Sequence, residues 1–343
     1  MLREGETIMI GGTNNENVFK LWKEGVRAMR LPYNESDMDT AEALFKQAIA
    51  EEATQQTGKA TTFDQARKAV PPLGPLGYPR AWSRYGYVIM TRVIEGWMPQ
   101  SALSDADEFT ARAVQLDDTD YDVHWDRAFF LQMMANGRPK SAFDQSLNEY
   151  ARAQELNDGN EELRVEAAEV YVSIGDPDTA LDELRRAGRV INHEWYWWDV
   201  AWAYYFKARL DPAYYDVALE QFRSMHWQPG DPRYVFDSQL LKAAIHAQKA
   251  DIHKTKADTY DKSKDEKQKA KAPKERKRQA SEEQLRDAAM AHFRAKKDDP
   301  SMRDGRGGAE WDLRDEMRKR FASPEADDDR DHWLRGCQLA GLK

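Results

Sequence analysis

Apolar and small residues recur at helical spacing in paired segments along most of the chain. In the clearest pair, Ala168 and Tyr171 lie on one stripe, and Ala180 and Leu184 lie on another. The sequence Gly-Asp-Pro-Asp at 175–178 separates the two stripes and predicts a turn. The pattern therefore predicts two antiparallel helices joined by a short connection.

The same pair of helices returns several times, with a small residue near the end of most copies. These end positions are Ala48, Ala113, Ala153 and Ala187, followed by Met225. Small residues allow two helix axes to approach to about 8–10 Å. The spacing is widest between the first two copies, where residues 51–78 form an insertion. The proline- and glycine-rich end of that insertion, residues 71–77, rules out a continuous helix there.

The aromatic copy carries a recognisable signature. The tetratricopeptide pattern W-x2-L-G-x2-Y, A-x3-F and a closing proline is matched by Trp197-x2-Val200-Ala201-x2-Tyr204, Ala218-x3-Phe222 and Pro229. The chain resembles the tetratricopeptide repeat (TPR) family. The ending at 332–342 is similar to that of TPR modules that follow bacterial adenylate or guanylate cyclase-like and winged-helix regulator domains. The sixteen residues before the first helix are too few for such a domain, so we expect the module to stand alone.

The resemblance implies an all-α fold: a right-handed TPR-like solenoid of about five helix pairs with a helical C-terminal cap. The expected segments are an N-terminal tail at 1–16, the solenoid at 17–248, a lysine-rich charged insertion at 249–280, and the last solenoid helix with the cap at 281–343. In the last segment, Ser281 is the expected start of a helix.

The residues from 194 to 206 carry a second aromatic stripe beside the packing stripe of Trp197 and Tyr204. Its members are Trp195, Trp198, Trp202 and Tyr205. In TPR proteins this side faces a concave groove, and four aromatic side chains are a large apolar area to leave in water. Three interpretations stay open. In the first, the stripe is covered by the chain's own insertion or by its C-terminal segment with Trp311 and Trp333. In the second, it docks a partner peptide or helix, and in the third, it binds a small apolar ligand.

The equivalent side of the two preceding copies contributes further candidate partner-binding residues. They are Trp125 and Phe129 in one copy, and Glu162 and Glu169 in the next. An open groove built from these residues is acidic at one end and aromatic at the other. It would favour a peptide with basic and apolar residues.

The formal net charge of −9 is unevenly distributed along the chain. Residues 249–279 carry a local charge of +6, which leaves about −15 for the rest. The candidate basic residues of this arm are Lys267, Lys269, Lys271, Lys274, Arg276, Lys277 and Arg278. They form either an ordinary solvated surface or a contact for phosphates or an acidic surface. Only Tyr260 interleaves them, so we expect no base readout, and nucleic acid is the less favoured partner.

The sequence contains none of the common catalytic, nucleotide-binding or metal-binding motifs. The sequence has no phosphate-binding G-x4-G-K-[ST] loop, no G-x-G-x-x-G, no H-E-x-x-H and no G-x-S-x-G. We therefore expect no enzyme activity, no cofactor and no metal site. The single cysteine, Cys337, excludes an internal disulfide, and we expect it to be a buried thiol.

The expected function is a non-catalytic scaffold or adaptor that binds a partner peptide or helix in bacterial signalling or complex assembly. No apolar run approaches the length of a membrane span, and residues 1–14 lack a signal-peptide core, so we expect a cytoplasmic location. Two alternatives remain: an accessory protein that binds nucleic acid or an acidic surface through the basic arm, and a homo-oligomeric structural protein.

Overall fold

The computed structural model describes residues 13–29, 34–69, 75–135, 138–188, 194–224, 232–297 and 327–340. Within these ranges the regular secondary structure is helical, and there is no β-strand. Successive helices pair along the chain, which confirms the predicted all-α helical-repeat class.

The chain divides into two compact units, which we describe separately. Unit 1 comprises Met1–Ala135, Ser141–Leu163 and Gly305–Ala309, and unit 2 comprises Asn136–Lys140, Arg164–Asp304 and Glu310–Lys343. The segment boundaries expected at residues 16, 248 and 280 stay predictions.

Unit 1 consists of three helical hairpins and a short connecting helix. Its helices are α1 (Glu16–Ala28), α2 (Glu35–Thr57), α3 (Phe63–Arg67), α4 (Pro79–Ile94), α5 (Leu103–Leu116), α6 (Tyr121–Ala135) and α7 (Asp144–Leu156). The hairpins are α1 with α2, α4 with α5, and α6 with α7. The first helix of each hairpin also contacts the first helix of the next, so α1, α4 and α6 form a row.

Local sequence sets where these helices begin and end. The Asn15 side chain accepts hydrogen bonds from the first backbone N–H groups of α1, and Thr62 and Gln65 form a capping box at α3. Pro79 opens α4, where a missing N–H group costs nothing. Gly58, with φ of 67°, ends α2 in the left-handed region that glycine tolerates best.

Two glycines lie at close helix contacts in unit 1. A Cβ atom on Gly25 of α1 would lie 2.5 Å from the ring of Phe45 in α2. A Cβ atom on Gly86 of α4 would lie 2.7 Å from the side chain of Thr110 and 3.1 Å from the carbonyl oxygen of Ala106, both in α5. Glycine thus permits the approach of both hairpins.

The insertion at 51–78 is partly helical. Its first residues complete α2, and α3 follows after a turn. Near its end, Leu76 is buried, and its carbonyl oxygen accepts a hydrogen bond of 2.8 Å from Nε1 of the buried Trp82. Of the proline-rich part, residues 70–74 lie outside the described ranges. The end of the insertion is therefore held against the core of unit 1 by a hydrogen bond to α4.

Unit 2 contains the remaining helices. These are α8 (Glu162–Ser173), whose first two residues belong to unit 1, α9 (Pro177–Ala187), α10 (Glu194–Lys207), α11 (Tyr214–Ser224), α12 (Pro232–Asp261), α13 (Glu266–Lys269), α14 (Ala272–Lys297) and α15 (Asp327–Leu339). Helix α10 packs on α9 and α11, α12 pairs with α14, and α15 lies on α12. The predicted turn before α9 is present, with Asp176 as cap and Pro177 as first residue.

The lysine-rich segment departs from the sequence prediction. Helix α14 begins at Ala272 rather than at the expected Ser281, and α12 continues without interruption to Asp261. Pro273 falls in the first turn of α14, where proline initiates helices instead of breaking them. Charge density in this segment is therefore compatible with a regular two-helix hairpin, within which α13 forms part of the connection.

Candidate functional site

The second aromatic stripe of α10 is buried. Trp198, Trp202 and Tyr205 are 5%, 2% and 0% exposed, whereas Trp197 and Tyr204 of the packing stripe are half-buried. The side chain of Trp195 lies outside the described part of the chain, as does Trp311. The expectation of an open groove along this stripe is thus corrected for the three described side chains.

The C-terminal helix α15 covers this stripe. The ring of Trp333 lies 4.7 Å from that of Trp202 and 5.7 Å from that of Tyr205, measured between centroids, with the edge of one ring toward the face of the other. Gly336 brings the backbone of α15 close, since a Cβ atom there would lie 2.9 Å from the Tyr205 hydroxyl. Of the interpretations left open by the sequence, filling by the chain's own C-terminal segment is the one observed.

A polar cluster fixes α15 in this position. Gln248 of α12 donates through Nε2 to the carbonyl oxygen of His332 at 2.6 Å and to the hydroxyl of Tyr205 at 3.0 Å. Tyr215 of α11 donates to Gln248 and lies 3.1 Å from Nε2 of His332. Burial, with Arg209 and Arg335 nearby, lowers the pKa of His332 to about 4, so the imidazole is neutral at pH 7.

The single cysteine belongs to the same contact. Cys337 is 0% exposed, one position after Gly336 in α15, and burial raises the pKa of its thiol. The predicted buried thiol is confirmed.

The row of first helices in unit 1 presents a second aromatic surface, which we call the α1–α4–α6 face. Phe129 of α6 is half-buried, and its ring stacks on that of Tyr87 in α4 with centroids 5.4 Å apart. Trp125, also half-buried, lies one turn before Phe129 on the same side of α6. Arg84 lies over the ring of Tyr87 at 5.8 Å. The two aromatic residues predicted for this copy therefore share one face.

Arg80 organises the other end of this face. Its guanidinium lies 5.4 Å from the ring of Trp22 in α1 and 5.8 Å from that of Tyr121 in α6. It also pairs with Asp120 at 2.5 Å and with Asp122 at 2.7 Å. Burial alone would lower the pKa of Arg80, but these carboxylates outweigh burial and raise it. One arginine thus joins all three helices of the row.

Below the face lies a buried carboxylate. Asp126 is 3% exposed, accepts a hydrogen bond from the Ser83 hydroxyl, and lies 3.2 Å from a guanidinium nitrogen of Arg84. Burial raises the pKa of Asp126 to about 6, although Arg84 opposes the shift. This polar contact ties α4 to α6.

The repeat register could have identified Arg80, Ser83 and Tyr87 in advance. In α10, the second-stripe residues Trp195, Trp198 and Trp202 lie at positions −2, +1 and +5 relative to Trp197. The same offsets from Trp82 give Arg80, Ser83 and Tyr87. The partner-binding residues predicted from the sequence lie on α6, α8 and α10, and none lies on α4.

The predicted acidic end lies on α8. Glu162 and Glu169 are both half-buried, and the boundary between the two units falls between them, after Leu163. The candidate residues of the basic arm are all exposed and lie in α13, in α14 and between them, within unit 2.

Neither a metal cluster nor a membrane-crossing helix is found in the described ranges. No group of three or more His, Cys, Asp or Glu side chains there could hold a metal ion. Likewise, each described helix is too short or too polar to cross a membrane.

No protein-family model matches the chain, and no curated protein matches it significantly. Among solved structures it is similar to the crystal structure of MamA protein, with a TM-score of 0.37 and 16% identity over 61% of this chain and 90% of that one. Membership of the TPR family, and the narrower likeness to modules of cyclases and regulators, stay predictions.

Proposed function

We propose that the chain is a non-catalytic interaction scaffold that binds a peptide or helix of another protein on the α1–α4–α6 face. The observation that carries the proposal is the half-buried aromatic group of Tyr87, Trp125 and Phe129 on adjacent first helices. Aromatic side chains held in fixed orientations lose little entropy on binding and dominate interface energetics.

The charges beside this group suggest the chemistry of the partner. Asp120, Asp122 and the buried Asp126 outnumber Arg80 and Arg84, so the ionic cluster on and below the face carries a charge of −1 when all five groups are ionised. A segment that combines apolar anchors with lysine or arginine would complement both parts of the face. The predicted preference for basic and apolar peptides is therefore retained, and its location moves from α10 to unit 1.

A peptide selection tests the proposal. Random peptides displayed on phage would be selected against the full chain, and the enriched peptides would be measured by fluorescence anisotropy. We expect basic residues beside aromatic or aliphatic ones, and a loss of affinity of at least about tenfold in Tyr87→Ala/Phe129→Ala.

The chain offers a matched control for that variant. Tyr204 and Tyr214 in unit 2 are also half-buried and stacked, with centroids 5.8 Å apart. Tyr204→Ala/Tyr214→Ala removes a similar ring pair and should leave the affinity within about twofold. Enriched peptides that bind both double variants as tightly as wild type would overturn the proposal, as would a selection that enriches none.

The cellular setting belongs to the proposal as well. The resemblance to modules of bacterial cyclases and regulators favours signalling or complex assembly in the cytoplasm. The homo-oligomeric alternative predicts a different result: light scattering would then give a mass that is a multiple of 39.6 kDa.

A further inference from the structure

The lysine-rich arm, residues 249–280, is an ordered helical hairpin in unit 2. It comprises the end of α12, the short α13 and the beginning of α14. Ala257 of α12 and Ala272 of α14 are buried, and the two long helices pack against each other. Two histidines of α12 pair with glutamates of α14, His253 with Glu275 at 2.6 Å and His246 with Glu282 at 2.7 Å. The register of the two helices is therefore fixed by alanine packing and by cross-helix pairs.

The acidic side chains of the arm already have partners within unit 2. Asp258 and Asp261 both pair with Arg276, and Asp265 caps α13. The remaining acidic groups of the arm form the pairs Asp251–Arg335, Glu266–Lys269 and Glu275–Arg278. Three of the seven basic residues singled out from the sequence, Lys269, Arg276 and Arg278, are thus neutralised locally.

The unpaired charge of the arm consists of lysines. Eight are exposed, and in the described part of the chain none lies within ion-pair distance of a carboxylate: Lys254, Lys256, Lys262, Lys264, Lys267, Lys271, Lys274 and Lys277. Four of these precede α13 and were not among the residues chosen from the sequence. These eight exposed lysines, in an arm whose local net charge is +6, create a positive potential on a chain of net charge −9.

We propose that this lysine cluster binds the phosphate backbone of single-stranded nucleic acid without reading its sequence. The partner must be a polyanion, because the cluster offers charge and little else. Tyr260 is the one aromatic side chain in the arm, and the ammonium of Lys271 lies over its ring at 5.7 Å. With no stacking platform for bases, contacts are confined to phosphates, which gives binding without sequence preference.

The arrangement of the lysines favours a flexible strand over a membrane surface. Lys254 and Lys256 are two positions apart on α12, which places them about 200° apart around the helix axis. Lys274 and Lys277 add charge on α14, so the cluster lies on both long helices and on more than one side of the hairpin. A flat anionic membrane would contact only part of it. It would also find no apolar anchor in the arm, because the large exposed apolar side chains in the described ranges, Leu210, Val217 and Leu285, all lie outside residues 249–280. A single strand can bend to reach lysines on several sides.

The test uses the full chain and a fluorescein-labelled oligothymidylate of twenty nucleotides, followed by anisotropy. If about four lysines contact phosphates at once, affinity should fall roughly 50-fold between 50 and 200 mM salt. Lys254→Gln/Lys267→Gln/Lys274→Gln/Lys277→Gln should weaken binding at least tenfold at 50 mM salt. An oligonucleotide of a different sequence should bind within about threefold.

A control matched in charge comes from unit 1. Lys20→Gln/Lys23→Gln/Lys59→Gln/Lys68→Gln removes four exposed lysines that also lack carboxylate partners in the described ranges, and it should bind within about twofold of wild type. Circular dichroism and melting temperature establish that both variants fold. Equal losses in the two variants would overturn the proposal, because net charge rather than the cluster would then control binding.

Other polyanions are outcomes of the same experiment. Wild type would also be mixed with vesicles of phosphatidylcholine and phosphatidylserine, and its mass measured by light scattering at 50 mM salt. Binding to vesicles without binding to the oligonucleotide would overturn the proposal, as would a dimer that the arm substitutions dissociate. No binding to the oligonucleotide at 50 mM salt would also overturn it.

Discussion

The covered stripe of α10 and the α1–α4–α6 face occupy the same register of the repeat, but their surroundings differ. In unit 2, the stripe consists of three uncharged aromatic side chains, Trp198, Trp202 and Tyr205. All three are buried, and α15 packs on Trp202 and Tyr205. In unit 1, Arg80 and its carboxylates share the face with the aromatic rings, which stay half-buried. The amount of apolar surface at these positions decides whether the chain covers it with its own helix or leaves it partly in water.

The largest expected contrast concerns one tryptophan from each surface. Trp202→Ala removes a ring in contact with Trp198, Tyr205, Phe206 and Trp333, and it should lower the free energy of unfolding by about 3–5 kcal/mol. Trp125→Ala, at a half-buried site, should cost about 1–2 kcal/mol. Urea unfolding followed by circular dichroism measures both values. Equal costs would mean that the two surfaces are buried alike.

A smaller effect is expected where α15 meets α10 and α12. Gly336→Ala adds a Cβ atom 2.8 Å from the Gln248 amide nitrogen and 2.9 Å from both Ala244 and the Tyr205 hydroxyl, and it should cost about 1–3 kcal/mol. Gly159→Ala in unit 1 is the control, because the nearest atom there is 3.9 Å away, and it should change stability by less than about 0.5 kcal/mol. A neutral Gly336→Ala would show that α15 is loosely attached.

The two surfaces should respond to pH in opposite directions. In unit 2, the pKa of His332 is lowered to about 4, whereas an unfolded histidine titrates near 6.5. The unfolded state therefore binds more protons between these values, and stability should fall by about 2–3 kcal/mol as pH falls from 6.5 to 4. His332→Gln should reduce this slope in urea unfolding measured across the same range. An unchanged slope would exclude His332 as its source.

In unit 1, Asp126 should give the reverse dependence. Its pKa is raised to about 6 in the folded chain, against about 3.9 when unfolded, so the folded state binds more protons in that window. The contribution of Asp126 should fall by about 1–2 kcal/mol as pH rises from 4 to 6. The difference in unfolding free energy between wild type and Asp126→Asn measures it. A difference that stays constant over this range would show that Ser83 and Arg84 compensate fully for burial.

The helix pairs and the contacts between neighbouring helices are predictable from the sequence. Helix pairs and their close contacts follow from small residues at fixed offsets, as at Gly25 and Gly86, because those contacts join neighbours along the chain. The register of the repeat also indicates which residues share a face. The same offsets that mark Trp198 and Trp202 in α10 mark Tyr87 in α4, so this much of the candidate site was predictable.

The remaining features depend on contacts that periodicity does not encode. The hydrogen bond from Tyr205 to the carbonyl oxygen of His332 joins positions 127 residues apart, and no local pattern distinguishes this cover from a partner's helix. The division of the arm into paired and unpaired charges depends on the register of α12 against α14. The positive charge of Arg276 is compensated only because that register brings the carboxylates of Asp258 and Asp261 within ion-pair distance.

The position of Cys337 gives the chain a built-in reporter of its own opening. A thiol reagent can reach this sulfur only when α15 leaves α10 and α12, and the sequence contains no other cysteine to react in its place. When labelling is faster than reclosing, the labelling rate of the native protein would therefore equal the rate at which α15 detaches, with no cysteine introduced by mutation.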